Sequence, residues 1–377
     1  MEKHLHVICF TVPFPVNYGG VFDPFYKIKF LHQEGVKVHL HCFDYGTGKQ
    51  DELEKYCFSI HYYSRNLGHK GFSLNLPYII ASRKSEELLN NLLLDDFPIL
   101  MEGIHCTYLL NDDRFTDRKK YVRLHNIEFT YYRSLAKSTT SFLHKIFYYR
   151  ESRLLKKYEK SIASKATMFW AVSKTDIAFL QNEFNYQSIF YLPVFIPEDW
   201  NLNLHEGKGS YCIYHGDLSV ESNEKAVIWL LKNIFNEIKL PLVITGKNPS
   251  KKIERLLHKE KYTCLVANPT YKEMQDMIAK AQINILPSFS STGVKLKLVN
   301  ALFSGRYCIA NNETVEGLAV DEVCTICNTE EEFIMAIKNL YQQPYTLLQI
   351  KKRKKTLKNI CNNNDNAQQI IQWIWNE

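Results

Sequence analysis

Asn284-Ile-Leu-Pro-Ser-Phe-Ser-Ser-Thr-Gly-Val-Lys-Leu-Lys-Leu-Val-Asn-Ala-Leu-Phe-Ser-Gly-Arg306 decides the fold class of this chain. An apolar strand ends at Pro287, a loop of small residues follows, and the apolar spacing predicts a helix from about Thr292–Gly293 to a capping glycine, Gly305. The first amides of such a helix point unpaired at the loop, and the helix dipole favours negative charge there. The sequence therefore predicts a phosphate site here, for which we list Thr292, Gly293, Val294 and Lys295.

Strands and helices alternate along the whole chain in two series. Strand-like runs of the first series lie at 4–10, 37–43, 58–63, 98–102, 120–124 and 168–172. Those of the second lie at 211–215, 241–245, 262–266, 283–286, 307–310 and 323–327. Continuous apolar runs joined by helices are typical of parallel sheets covered on both faces. We predict an α/β fold of two doubly wound parallel sheets facing across a cleft, with domains at 1–195 and 196–359 and a final segment at 360–377.

The composition favours a cytoplasmic protein. The chain has 377 residues, of which 45% are hydrophobic, and is long enough for two cores. No apolar run approaches the roughly 18 residues of a membrane span, and the first ten residues resemble a strand more than a signal peptide. Many of the ten cysteines lie in apolar strand-like runs, as reduced core thiols do. Cys324 and Cys327 form an isolated Cys-x-x-Cys pair without the four ligands that zinc needs, so we expect no metal there.

One segment, residues 130–166, accounts for the net charge of the whole chain. It contains nine basic and two acidic residues, and this surplus equals the overall charge of +7. Its Tyr, Phe and Leu residues recur at spacings that allow a basic amphipathic helix on an anionic membrane face. A solvated helix face with its aromatic residues in the core explains the same pattern, so both interpretations stay open. Nucleic acid is not an expected partner, because no groove-reading motif or stacking platform is present.

The loop after the first predicted strand contains the candidate residues Asn17, Gly19 and Gly20. Ligands of a wound sheet bind beyond the carboxyl ends of its strands, so we expect this glycine turn to face the cleft. The turn lacks the third glycine of a dinucleotide fingerprint, which disfavours a hydride-transfer cofactor.

Two other strand ends of the first domain carry histidine and glutamate. Met101-Glu-Gly-Ile-His-Cys106 places Glu102 and His105 at the edge of the sheet, and Arg123-Leu-His-Asn-Ile-Glu128 places His125 there. Histidine and carboxylate at the end of a buried strand are candidate catalytic groups, although a structural histidine or a helix cap is the simpler explanation for either.

The Pro-Ser loop, Gly-Val-Lys-Leu-Lys and the Ala-Leu-Phe-Ser-Gly helix resemble the donor-binding segment of retaining glycosyltransferases of family 4. These enzymes have the GT-B architecture of two Rossmann-like domains. The family commonly carries two glutamates in this segment, where this chain has Thr292 and Asn300. The resemblance implies that Asn300 binds the donor ribose through its neutral amide.

The same resemblance extends to other segments. It implies that Gly216 in Tyr214-His-Gly-Asp-Leu-Ser219 and Lys247 after the next strand contact the donor diphosphate, although Asp217 stands where the family has an arginine. Arg-x-His-Asn-x-Glu resembles a bacterial segment whose histidine contacts the transferred sugar, which implies that role for His125. In GT-B proteins the final helix crosses back onto the first domain, and Trp373 and Trp375 are candidate anchors.

The resemblance implies transfer of a hexose-type sugar from a nucleotide-diphospho-sugar to a glycan or lipid-linked acceptor, with retention, in bacterial polysaccharide synthesis. No Asp-x-Asp, Walker or His-Glu-x-x-His motif occurs, so we expect neither a metal nor a cofactor besides the donor. The expected place is the cytoplasm, possibly against the inner face of the membrane. Two alternatives stay open: a catalytically weakened homologue that binds a sugar nucleotide or a partner enzyme, and a sugar-nucleotide epimerase.

Overall fold

A computed structural model of the chain describes residues 2–16, 19–139, 141–258, 261–289 and 293–376, the side chain of Asn359 excepted. The chain divides into two compact units. The first unit consists of Met1–Pro197 and Cys361–Glu377, and the second of Glu198–Ile360. Asn17 and Thr292, both singled out in the sequence, lie outside the described residues.

The first unit is built on a sheet of seven parallel strands. They are β1 (Lys3–Cys9), β2 (Val36–Asp44), β3 (Ser59–Ser64), β4 (Ile99–Glu102), β5 (Lys120–Leu124), β6 (Met168–Ala171) and β7 (Ile189–Tyr191). Their order in the sheet is β3-β2-β1-β4-β5-β6-β7. Strands β2 and β3 thus lie on one side of β1, and β4 to β7 lie on its other side. The direction of winding changes between β1 and β4, which is the switch point of the sheet.

Helices cover both faces of this sheet, because its strands are apolar on both sides. They are α1 (Gly19–Gln33), α2 (Asp51–Glu54), α3 (Tyr78–Ala81), α4 (Glu86–Leu92), α5 (Glu128–Ser138), α6 (Phe142–Ile162) and α7 (Lys174–Phe184). The basic segment expected to form one amphipathic helix thus forms two, α5 and α6. Both are started by local chemistry: the Ser141 hydroxyl caps α6, and the Glu159 carboxylate accepts hydrogen bonds from the Glu128 and Phe129 amides at the start of α5.

The second unit repeats the plan with six parallel strands. They are β8 (Cys212–His215), β9 (Leu242–Gly246), β10 (Thr263–Ala267), β11 (Ile283–Ile285), β12 (Tyr307–Ala310) and β13 (Thr325–Ile326), in the order β10-β9-β8-β11-β12-β13. Here the switch point lies between β8 and β11. Two doubly wound parallel sheets confirm the predicted α/β fold class.

The helices of the second unit are α8 (Glu221–Trp229), α9 (Lys251–Leu257), α10 (Tyr271–Lys280), α11 (Leu296–Ser304), α12 (Asn312–Val315), α13 (Glu330–Gln342) and α14 (Leu347–Ile360). A π-helical turn, Leu230–Ile234, continues α8. The helix expected from Thr292–Gly293 begins only at Leu296. Gly293 has a left-handed backbone with φ of 67°, and Lys295 is non-helical, so the chain cannot turn into a helix earlier.

The last helix, α15 (Asn363–Trp375), belongs to the first unit. The ring of Trp373 stacks on that of Trp170 with centroids 5.5 Å apart, and the Tyr121 hydroxyl donates to the Trp373 carbonyl oxygen. The side-chain amide of Asn363 pairs with the backbone of Ile196: its oxygen accepts from the Ile196 amide, and its nitrogen donates to the Ile196 carbonyl oxygen. Aromatic packing and paired hydrogen bonds thus hold the C-terminal segment to this unit.

Within the described residues, no helix is both long and apolar enough to cross a bilayer.

One face of the first sheet carries a ladder of histidines on its first three strands. They are His4 and His6 on β1, His39 and His41 on β2, and His61 on β3. Their ring nitrogens pair in two lines: His4 with His39 at 2.9 Å and His6 with His41 at 2.8 Å. Each line ends on an oxygen, supplied by Ser59, Tyr63 or Asp95. We define these five residues as the histidine ladder.

Two rings of the histidine ladder, His39 and His41, are held neutral at pH 7. Burial lowers the pKa of His41 well below its ordinary value, and the neighbouring histidines lower it further. Burial and the charges of His6 and His4 lower the pKa of His39 to about 4. A neutral ring can donate through one nitrogen and accept through the other, which is what a line of paired imidazoles requires.

His41→Gln should cost stability in a pH-dependent way. The folded state holds His41 neutral below pH 6.5, whereas the unfolded chain takes up a proton there, so the parent loses this stabilisation as the pH falls. We expect the difference in unfolding free energy between parent and variant to shrink by about 1–2 kcal/mol from pH 7.5 to pH 5. Urea unfolding measures it, with His32→Gln, an exposed histidine, as the control. An equal difference at both pH values would contradict a neutral His41 in the folded state.

Candidate functional site

The switch point of the first sheet holds a buried network of charges. Asp23 and Lys27 come from α1, Glu102 ends β4, and Arg123 lies in β5. The Lys27 ammonium lies 2.9 Å from the Asp23 carboxylate and 2.6 Å from that of Glu102. The Arg123 guanidinium grips Asp23 with two nitrogens, at 2.9 and 3.1 Å. Two acids and two bases are thus paired out of water, and each carboxylate oxygen has a donor.

His125 completes this network. Its Nε2 lies 3.1 Å from a Glu102 carboxylate oxygen, and its Nδ1 lies 3.8 Å from Asp23. Burial would raise the pKa of the Glu102 carboxyl, but the charge of Lys27 and the His125 hydrogen bond lower it below the ordinary range. Glu102 is therefore a carboxylate at neutral pH. The imidazole of His125 is partly exposed, so it is the member of the network that a ligand can reach.

His105 stands apart from that network. Its ring stacks on Phe10 with centroids 4.9 Å apart, and its Nδ1 is buried without a hydrogen-bond partner in the described part of the chain. Burial, and then the charges of Arg83, His125 and Arg65, hold its pKa well below the ordinary value. The structure therefore brings His125 and Glu102 into contact and leaves His105 beside them.

Asp23, Lys27 and Arg123 were not among the residues predicted from the sequence. A signal was present: Asp23 and Lys27 are spaced to share one face of a helix whose other buried residues are apolar. Arg123 lies between two apolar residues, Val122 and Leu124, in a buried strand. Charged residues in such positions are rarely buried unless they are paired.

Asp23, Glu102 and His125 each offer one ligand atom, and these atoms lie within 4.8 Å of one another. A divalent cation here would have to displace Lys27 and Arg123, which already hold the carboxylates. The donor set thus suits internal neutralisation better than a metal.

The expected glycine loop takes a different form. Gly19 and Gly20 are the first two residues of α1, so they belong to the first turn of a helix and not to a free turn before it. Pro24 lies inside this helix, as its sixth residue.

Beside the switch point of the second sheet, the ends of β8 and β9 approach each other closely. A side chain at Gly246 would collide with the Gly216 carbonyl oxygen, so only glycine fits there. The Leu218 amide donates to the Lys247 carbonyl oxygen, which ties the two loops together. Lys247 itself is exposed at this edge.

Asp217 forms hydrogen bonds within its own loop. Its carboxylate accepts hydrogen bonds from the amide and the hydroxyl of Ser219, at 3.0 and 2.6 Å. The acid therefore closes its own loop. This removes part of the repulsion that a carboxylate beside a diphosphate would cause.

Two lysines stand at the start of α11. The Lys295 ammonium lies 3.2 Å from the Gly293 carbonyl oxygen. The Lys297 ammonium donates to the Tyr214 hydroxyl and to the Asn223 side-chain oxygen, both at 3.0 Å, and so reaches the end of β8. Burial, and then the charge of Lys295, lower the pKa of Lys297 to about 7. Because the two lysines are two residues apart they cannot share one helix face, and Lys297 is the one that reaches β8.

The other second-unit candidates occupy neighbouring positions along the chain. Val294 continues the loop between Gly293 and α11. Asn300 is buried in α11, where its side-chain oxygen accepts a hydrogen bond from the Ser304 hydroxyl at 3.1 Å. Its amide nitrogen remains the group with which it can contact a ligand.

Residues 209–343 match a known family, the glycosyl transferases group 1. The match covers β8 to α13, and so includes the whole second switch point. This part of the second unit is therefore similar to the glycosyl transferases group 1 domain, and the whole chain shares its fold with solved glycosyltransferases.

Three relatives show how far the likeness extends. An uncharacterised 44.6 kDa protein in the cps region of Klebsiella pneumoniae is 25% identical over 354 residues, which are 88% of this chain and 89% of that protein. A glycosyltransferase from Rickettsia africae matches 98% of this chain and 97% of its own with a TM-score of 0.67 and 14% identity. TarM from S. aureus, solved with fondaparinux, alpha-GlcNAc-glycerol and UDP, matches 99% of this chain and 100% of its own with a TM-score of 0.67 and 12% identity.

These structural matches run along both units of the chain. At such low identity the solved structures establish the fold and leave the individual site residues to be argued from geometry.

Proposed function

We propose that the protein transfers a hexose-type sugar from a nucleotide-diphospho-sugar to a glycan or lipid-linked acceptor, with retention at the anomeric carbon. The observation that carries this proposal is the second switch point within the group 1 domain. There the Gly216 turn, the Gly293 loop and Lys297 offer close backbone approach and positive charge, while Asp217 is occupied by its own loop. Diphosphate is the ligand that this chemistry suits.

The second unit stabilises the leaving diphosphate with groups that are already in place. The first turn of α11 and the amino groups of Lys295 and Lys297 meet the negative charge that develops as the glycosidic bond breaks. We assign ribose binding to Asn300 and a further phosphate contact to Lys247. The proposal needs no metal ion and no cofactor besides the donor.

The first unit holds the acceptor and orients the sugar. Glu102 fixes the ring of His125, and the Lys27 and Arg123 charges fix Glu102 and Asp23 in turn. His125 is thereby a positioned hydrogen-bonding group that does not have to be reorganised when substrate binds. We propose that it contacts the transferred sugar, and that the leaving phosphate takes the acceptor proton.

His125→Ala should lower turnover heavily while nucleoside diphosphate still binds. Misplacement of a reacting group by about an ångström costs on the order of a hundredfold in rate, and the diphosphate site lies in the other unit. Sugar transfer from a panel of nucleotide sugars gives the rate, and calorimetric titration with the matching nucleoside diphosphate gives the affinity. His32→Ala is the control. Unchanged turnover in His125→Ala would show that the assigned role is wrong. Loss of both turnover and diphosphate binding would show that the residue is structural.

A catalytically weakened homologue is the second candidate. The observation in its favour is that Asn300 is a neutral residue where the resembled family carries a glutamate. Such a protein would bind the nucleoside diphosphate and show no transfer or donor hydrolysis with any nucleotide sugar of the panel.

We also propose that the protein contacts an anionic membrane through the start of α6, at its cytoplasmic face. Phe142, Leu143 and Ile146 are 74%, 77% and 53% exposed at the first turns of this helix. Across from them the Arg150 guanidinium lies 4.5 Å from the ring centroid of Phe72, and so joins α6 to the loop that carries the 77% exposed Leu74. We call Phe72, Leu74, Phe142, Leu143 and Ile146 the apolar patch.

The surroundings of the apolar patch are basic, since residues 130–166 hold the net positive charge of the chain. Large exposed apolar side chains rimmed by cations suit the interface of an anionic bilayer. A lipid-linked acceptor would be met at such a surface.

Leu143→Asp together with Ile146→Asp should abolish sedimentation with vesicles that contain phosphatidylglycerol. Each substitution places a carboxylate where an apolar group enters the interface, next to anionic lipid. Leu94→Asp is the matched control, because Leu94 is 81% exposed and lies outside the apolar patch. Equal sedimentation of the double variant and the control would contradict the membrane contact.

A further inference from the structure

A second group of cations lies at the carboxyl end of the first sheet, outside the network of His125. Arg83 is 5% exposed. Its Nε donates to the Phe10 carbonyl oxygen at 3.1 Å, one Nη donates to the Ile79 carbonyl oxygen at 2.6 Å, and the other donates to the Tyr45 hydroxyl. All of these acceptors are uncharged, so no ion pair compensates the buried guanidinium through them.

Arg65 adds a second guanidinium beside the same tyrosine. Its carbon lies 5.1 Å from the ring centroid of Tyr45, and that of Arg83 lies 5.5 Å from it. The Arg65 Nε donates to the Ser82 hydroxyl at 2.9 Å. Within the described part of the chain, neither arginine forms a salt bridge with a carboxylate. Two guanidinium groups beside one aromatic ring repel each other, and a bound anion would offset that repulsion.

His105 points to the same ligand. Its buried Nδ1 has no hydrogen-bond partner among the described residues. Its ring stacks on that of Phe10, whose carbonyl oxygen accepts the hydrogen bond from Arg83. Burial lowers the pKa of His105 well below its ordinary value, and the charges of Arg83 and Arg65 lower it further. A neutral imidazole can donate from Nδ1 to an oxyanion. A buried polar atom without a partner calls for an explanation, and a ligand oxygen supplies one.

The Glu128 carboxyl group, which lies near Arg83, is only partly ionised at neutral pH. Arg83 acts on the carboxyl of Glu128, but burial raises the pKa of Glu128 to about 7 against the effects of Asn126 and Arg83. At neutral pH and below, Glu128 therefore does not supply a full counter-charge.

We propose that Arg65, Arg83 and His105 form an oxyanion site in the first unit, and that the acceptor of this enzyme carries a phosphate or carboxylate group that binds there. That the ligand is the acceptor rests on the proposed function, whereas the anion site itself rests on these residues alone. Guanidinium groups suit both anions, because their paired N–H groups match two oxygens of either one. A phosphate would come from a lipid carrier or a phosphorylated glycan, and a carboxylate from an acidic sugar.

The test uses the full chain saturated with the nucleoside diphosphate that binds it best, so that the second unit cannot take up the probes. Pyrophosphate, inorganic phosphate and glucuronate are then titrated separately by calorimetry. We expect the parent to bind at least one of them, with Arg83→Gln and Arg65→Gln each weakening it at least tenfold. Arg153→Gln, an exposed arginine of α6, should bind like the parent. Arg65→Gln keeps the test decisive if Arg83→Gln fails to fold, because Arg65 is less buried.

The outcomes separate the two proposals. Preference for the phosphates assigns a phosphorylated acceptor, and preference for glucuronate assigns an acidic glycan. No binding by the parent, or equal binding by both variants and the parent, overturns the oxyanion site. If no nucleoside diphosphate binds in the first step, the proposed function fails, while the same titrations still decide the oxyanion site through Arg65→Gln.

Discussion

The ends of parallel strands are the constraint on which this structure depends. In each unit the chain winds outward from its first strand, returns, and continues on the other side, so that two loops leave neighbouring strands in opposite directions. The space between them is lined by loop backbone and helix starts. In the first unit this is the edge between β1 and β4, and in the second it is the edge between β8 and β11. The residues argued above to bind ligands lie at these edges or next to them.

The buried charged side chains at the two edges have different kinds of partner. In the first unit, Asp23 and Glu102 are neutralised by Lys27 and Arg123, and removing one partner of such a network typically costs about 3–5 kcal/mol. That network is rigid and leaves His125 as its accessible group. In the second unit, the acceptors that Lys297 contacts among the described residues, Tyr214 and Asn223, are neutral. An anionic ligand is better suited to the second arrangement than to the first.

Much of the fold was predictable from the sequence, because apolar runs buried on both faces and separated by helical spacing leave few alternatives to a doubly wound sheet. Helix boundaries were less predictable. The spacing around Thr292 continues the pattern of α11, but the left-handed backbone of Gly293 delays the helix to Leu296. Two helices formed where one basic helix was expected, since a capping serine and a buried glutamate start them separately.

The candidate site was predictable only in part. Strand ends identified Glu102 and His125, because the carboxyl ends of strands are visible in the sequence. Asp23 and Arg123 are one hundred residues apart, and their contact depends on the packing of α1 against the sheet. Likewise, Lys297 reaches β8 through its side chain, and nothing in the spacing of the two lysines distinguishes it from Lys295. Such contacts follow from tertiary structure.

The most direct test of the central claim is a crystal structure of the protein with the nucleoside diphosphate that stabilises it best. The account predicts that the phosphates lie at the carboxyl ends of β8 and β11, with oxygens within hydrogen-bond distance of the Gly293–Lys297 segment and of the Gly216 turn. A nucleotide bound elsewhere in the second unit, or only in the first unit, would contradict it.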